Sequence, residues 1–268
     1  METTGRHEEL IRQSVLDSAF KWSGNIIHLF EGGGALYGTS MGTSDLDIYG
    51  VFIEPKQYVF GLDKYEHFVS STSDESRRNT AGDRDITLYS LRKWATLAAK
   101  GNPTALSFLF ANNLIEEFDH SVLWTNALWK LQDIIVSKSA AKHFRGFVQG
   151  QMARLLGERG TGKHGQRSEL IVDHGYDTKA AMHAVRLLGE GIELMHTGRI
   201  DYPRPNADFL KEIRTGEFGS LDKVCQLVSG TMEYLDQAVF ESKLPEQPDR
   251  RKISFALTEL YEDFYAAE

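Results

Sequence analysis

Asp45 and Asp47 are separated by one apolar residue, Leu46, and follow the glycine run Gly32-Gly33-Gly34 after a ten-residue spacer. In a strand, side chains i and i+2 share a face, so both carboxylates point the same way. Two aligned carboxylates beside a glycine turn suit a divalent cation, Mg²⁺ or Mn²⁺, and the phosphates it carries. Glycines let the backbone approach a phosphate closely and offer it N–H groups. A third carboxylate, Asp85, opens the alternating segment Asp85-Ile-Thr-Leu-Tyr89. Pairing of that segment into the same sheet brings Asp85 beside the pair, and three carboxylates suffice for one or two such ions.

These residues need a sheet. Ile26–Phe30 is expected as a short buried strand ending at the glycines, and 45–53 as a second strand closed by Pro55. Gln57–Phe60 and His67–Val69 read as weaker strands around the turn Gly61-Leu62-Asp63-Lys64. Residues 70–84 are nearly devoid of apolar side chains and form a long loop, on which Arg77, Arg78 and Arg84 are candidate phosphate contacts. An amphipathic helix over 7–22 carries Leu10, Ile11, Val15, Ala19 and Phe20 on one face. Leu91–Ala99 continues as helix, and Asn102-Pro103 supplies an N-cap and a first-turn proline for Thr104–Phe110.

From Ser121 onward strand signals vanish. Helical periodicity occupies 121–136, 139–157, 177–197, 207–214, 220–241 and 252–267. The expected class is α+β, a mixed sheet flanked by helices over 1–118, followed by an all-helical domain over 119–268. In that half, Lys179, His183 and Arg186 stand at i, i+4 and i+7 on one helix face, a line of groups suited to phosphate, with Asp177 as the candidate N-cap. Residues 138–167 hold Lys138, Lys142, Arg145, Arg154, Arg159, Lys163 and Arg167 against the lone acid Glu158, a local positive region that suits a phosphate-rich partner such as RNA.

Bulk properties bound the reading. A formal charge of −8 argues against coating nucleic acid by charge alone. The single cysteine, Cys225, excludes internal disulfides and thiolate zinc clusters and fits a reducing, cytoplasmic compartment. The polar N-terminus lacks a signal-peptide core, and no apolar run reaches membrane-helix length. Gly157 to His164 nearly spells a P-loop, but His164 replaces the metal-binding hydroxyl and the preceding segment reads as helix rather than strand. His28 and His67 read as structural, and the histidines show no zinc-ligand spacing.

Gly33-Gly34, the spacer and Asp45-Leu46-Asp47-Ile48 resemble the signature of the DNA polymerase β-like nucleotidyltransferases. Gly33 to Gly38 and Ser44 to Val51 are similar to a bacterial and phage branch of predicted nucleotidyltransferases that includes RNA-ligase-associated members. Asp85 to Lys93, Lys100 to Pro103, the Lys179/His183/Arg186-Leu187-Leu188 pattern and Leu244-Pro245-Glu246 extend the resemblance over most of the chain. Gly34 and Ala35 depart from the branch, which often has serine and a basic residue there. The resemblance implies NMP transfer from an NTP such as ATP, with pyrophosphate released. It implies Asp45, Asp47 and Asp85 as catalytic metal ligands, and Gly33, Gly34, Ser44, Lys179, His183 and Arg186 as nucleotide-binding residues. An RNA or tRNA end is the first-choice acceptor. A protein or small-molecule acceptor, or a catalytically silent nucleotide- or RNA-binding module, are the alternatives.

Overall fold

The computed structural model describes residues 2–42, 44–73, 80, 82–115, 120–158 and 167–267, and side chains from residue 7 on. In chain order the elements are α1 (Glu2–Leu16), β1 (Ile26–Glu31), α2 (Gly33–Tyr37), β2 (Leu46–Phe52), α3 (Lys56–Phe60), β3 (His67–Ser71), β4 (Arg84–Ser90) and α4 (Leu91–Ala99). Among the described residues eight further helices follow: α5 (Pro103–Ser107), α6 (Ser121–Ile135), α7 (Ala140–Leu155), α8 (Ser168–His174), α9 (Thr178–Thr197), α10 (Ala207–Thr215), α11 (Leu221–Glu241) and α12 (Arg250–Ala267). The class is α+β, with a mixed four-stranded sheet flanked by helices and a helical C-terminal half.

The sheet order is β1-β2-β4-β3, with β2 and β4 parallel and both outer pairs antiparallel. Alternation along β2 and β4 separates two faces. One buries Ile48, Phe52, Ile86 and Leu88 against Ile11, Val15 and Phe20. The other carries Asp47, Tyr49, Asp85 and Thr87. A one-residue slip would exchange these faces, so burial of the first fixes the orientation of the second.

Contacts divide the chain into two compact units. The first comprises Met1–Ala99, Ala111–Ile135 and Asp249–Glu268, the second Lys100–Phe110 and Val136–Pro248. The linear partition at 118/119 and this spatial one differ because α6 and α12 pack on each other, on β1 and on α4. Trp124 of α6 stacks on the buried His28 ring at 4.3 Å and meets Trp94 edge-on, so α6 fills a gap over the sheet. In the second unit α9 is the central helix, flanked by α7, α10 and α11. Among the described residues no helix is long and apolar enough to cross a membrane.

Local chemistry explains where elements differ from expectation. Helix α1 ends at Leu16, and Phe20 reaches the core from the turn that follows, where the Ser18 hydroxyl bonds the Val15 carbonyl. Segment 56–60 is helical, not extended, because Pro55 stands at its N-cap and its carbonyl accepts from the Tyr58 amide. Helix α8 gave too short a periodic signal to be read. Arg84 lies on β4, where Nη1 donates to Ser14 Oγ at 3.1 Å, so it ties the sheet to α1 and is no loop contact. Arg77, Arg78, Arg159 and most of the P-loop-like run lie outside the described residues; the helix α7 does precede that run.

Glu54, just past β2, is 1% exposed. The Tyr261 hydroxyl donates to its carboxylate at 2.7 Å, the Tyr265 hydroxyl donates to its carbonyl, and Arg92 Nη2 stands 3.9 Å away. Losing a donor to a buried carboxylate leaves part of its desolvation uncompensated. Tyr261→Phe is therefore expected to lower stability by about 2 kcal/mol in urea denaturation, without change in the far-ultraviolet circular dichroism.

Candidate metal and phosphate site

Parallel pairing sets Asp47 directly opposite Asp85. Asp45, one residue before β2, completes the group: one oxygen from each of Asp45, Asp47 and Asp85 lies within 4.8 Å of the others, and all three residues are half-buried. The sheet thus joins carboxylates that stand forty residues apart in the chain. Glu31, next to the glycines, is not among them: its carboxylate meets His7 Nε2 at 2.7 Å.

The glycines are placed by contact with this acidic strand. The Gly32 amide donates to the Asp47 carbonyl at 2.8 Å. Gly33 has φ +55°, and a Cβ there would lie 1.9 Å from Asp47 Oδ2; at Gly32 it would lie 2.1 Å from the Tyr49 ring. Bare backbone at 32 and 33 is therefore what lets the turn sit against the acids. Gly34 enters the short helix α2, and its carbonyl accepts from the Thr39 amide at 2.8 Å. Ser44 Oγ accepts from the Met41 amide at 2.9 Å, so it shapes the loop that delivers Asp45.

Tyr49 is a residue that the sequence reading missed. It lies two positions beyond Asp47, stacks on Phe30 at 5.9 Å and presses on Gly32. Burial first, and then the Asp47 carboxylate, raise its pKa far above the ordinary phenol range, so it stays a neutral wall beside the acids. Strand alternation from Asp47 was the signal that pointed to it.

The other predicted residues lie in the second unit. Asp177 caps α9, its carboxylate accepting from the Ala180 amide at 3.0 Å. Lys179 and His183 are half-buried on that helix. Arg186 is buried, with Nη1 2.6 Å from the buried Glu190 carboxylate, so its charge is matched within the helix. The His183 imidazole is held well below its ordinary pKa by burial, then by Arg186, Lys179, Arg167 and Arg214. The linear basic run is also partly matched by acids distant in sequence: Lys138 pairs with Glu246 at 2.8 Å, Arg145 with Asp236, and Arg167 with Asp177 at 3.0 Å.

Comparison with known proteins gives the family to which a chain with this acidic group and glycine turn belongs. The RNA repair pathway DNA polymerase beta family matches residues 7–230, and the chain belongs to that family. An uncharacterized 38.9 kDa protein of Enterobacteria phage T4, from the nrdC-mobD intergenic region, is 39% identical over 77 residues, 29% of this chain. That match spans only 23% of the phage protein. A solved nucleotidyltransferase-like protein from Exiguobacterium sibiricum aligns over 96% of this chain and 80% of its own, with a TM-score of 0.32 and 12% identity.

Because Gly33 combines positive φ with the Asp47 contact, Gly33→Ala is expected to cost about 1–3 kcal/mol and lower the thermal midpoint. Gly24→Ala, where a Cβ meets nothing within 4 Å, serves as the control and should leave it nearly unchanged.

Proposed function

We propose that the protein transfers a nucleoside monophosphate from an NTP to an acceptor hydroxyl, releasing pyrophosphate. The observation that carries this reading is the cross-strand group Asp45, Asp47 and Asp85 set against the Gly32–Gly33 turn. Three clustered carboxylates are a donor set of hard oxygens, which fits Mg²⁺ or Mn²⁺. When bound, such an ion supplies charge neutralisation at the phosphates and lowers the pKa of the attacking hydroxyl.

The chain's own part is positioning. Asp45 and Asp47 are assigned to the nucleotide side, next to Gly33 and Gly34, whose bare backbone admits a phosphate. Asp85 is assigned to the acceptor side. The acceptor oxygen bonds to the α-phosphorus as the bond to pyrophosphate breaks, and the hydroxyl proton passes to solvent water. Tyr49 closes the sheet side of the site without adding a charge. Ser44 acts through the loop that places Asp45. Lys179 and His183 are assigned to phosphate oxygens, while Arg186, paired with Glu190, sets the electrostatics of that helix face. All three acids fall within 1–118, the stretch we propose as the nucleotidyltransferase domain, and 119–268 is the proposed helical domain.

An RNA end is the preferred acceptor, on the strength of the RNA repair description of the family. The ion-paired state of Lys138 and Arg145 means that recognition would rest on more than the 138–167 charge run. Asp47→Asn tests the mechanism. It should reduce labelled-NMP transfer to RNA oligonucleotides by a factor of about 10³ or more, while the fold is kept. Transfer at the wild-type rate would remove Asp47 from the chemistry. Chelation of divalent ions should abolish pyrophosphate release, with recovery on adding Mg²⁺ or Mn²⁺.

A further inference from the structure

In the second unit, the 0%-exposed Asp177 does more than cap a helix. Its carboxylate accepts from the Arg167 backbone amide at 3.1 Å and from Arg167 Nη1 at 3.0 and 3.2 Å. These bonds fasten Arg167, which precedes α8, to the first turn of α9. Arg214, from the last turn of α10, donates through Nη1 to Thr178 Oγ1 at 3.4 Å, one residue beyond Asp177. Lys179 comes next, and His183 stands one turn further along the same helix.

Arg167 and Arg214 therefore meet at the first turn of α9, the helix that also carries Lys179 and His183. Arg186 already has Glu190 as its counter-charge, and Asp177 pairs with Arg167, while Arg214 reaches the adjacent Thr178 hydroxyl. Burial, and then the charge of Arg167, lower the Arg214 pKa, a sign that the two cations are held close against repulsion. A bound anion reverses that cost. Cations converging from three elements suit a compact ligand bearing several charges. An extended RNA strand spreads its charges at one per nucleotide and matches such a focus poorly. His183, kept neutral first by burial and then by the neighbouring cations, supplies a hydrogen bond without adding repulsion.

We propose that Arg167, Lys179, His183 and Arg214 form an oligophosphate site in the second unit, one that takes the polyphosphate of a nucleotide. The proposal rests on the assignment of Lys179 and His183 to phosphate made above, and adds Arg167 and Arg214 as ligands with Asp177 as the positioning residue.

The test is calorimetric titration of the full chain with inorganic tripolyphosphate, without divalent ions. Wild type should bind, Arg214→Gln and Lys179→Gln should each weaken binding about tenfold or more, and Asp47→Asn should bind as wild type does. Arg214→Lys, which keeps the charge but loses the guanidinium fork, should fall between, and thermal melting identifies any variant that fails to fold. Absence of binding by wild type, or Arg214→Gln and Lys179→Gln within about twofold of it, would overturn the site. Displacement of tripolyphosphate by an RNA oligonucleotide lacking a terminal phosphate would mark a backbone-binding face instead and also overturn it. If Asp47→Asn abolishes NMP transfer while tripolyphosphate ignores Arg214, this site falls and the catalytic reading stands. If binding depends on Arg214 but Asp47→Asn retains transfer, the catalytic reading falls and the site stands.

Discussion

The register of β2 against β4 is the constraint on which the candidate site depends. It sets Asp47 beside Asp85 and, with Asp45, gathers three like charges within 4.8 Å. Two carboxylates about 4 Å apart repel by roughly 1–4 kcal/mol, depending on how much water screens them. The register survives because slipping it would expose Ile48, Phe52, Ile86 and Leu88, each buried on the opposite face. Burying side chains of that size contributes about 1.5–3 kcal/mol each. Hydrophobic burial on one face thus holds an electrostatically unfavourable arrangement on the other.

The glycine turn belongs to the same arrangement. Gly32 bonds the Asp47 carbonyl, and its missing side chain leaves room for the Tyr49 ring, while Gly33 gives way to the Asp47 carboxylate. The backbone proposed to bind phosphate is therefore packed onto the strand that bears the acids. Turn and acidic strand are packed as one piece, so a change at Gly32 or Gly33 displaces Tyr49 or Asp47.

Much of this was legible in the sequence because it is local. The Asp-Leu-Asp alternation, the glycine run and the apolar stretches around them report strands and a tight turn directly, and Asn102-Pro103 marks α5, with Asn102 Oδ1 accepting from the Ala105 amide at 3.1 Å. What could not be read depends on partners far away in the chain. The basic run around 138–167 looked open because Glu246, Asp236 and Asp177 pair with it only in three dimensions. The pairing of Arg186 with Glu190, by contrast, is local, one turn apart on α9. The spatial units differ from a single cut near 118 because α12, at the far end of the chain, packs with α6 beside the sheet. Amphipathic periodicity shows that a helix has a partner, but not which one.

The central claim is that Asp85 shares one cation site with Asp45 and Asp47. The most direct measurement follows free Mn²⁺ by its electron paramagnetic resonance signal during titration with wild type and with Asp85→Asn. The account predicts stoichiometric loss of free ion with wild type and at least about tenfold weaker binding with Asp85→Asn. Equal affinity in the two proteins would contradict it.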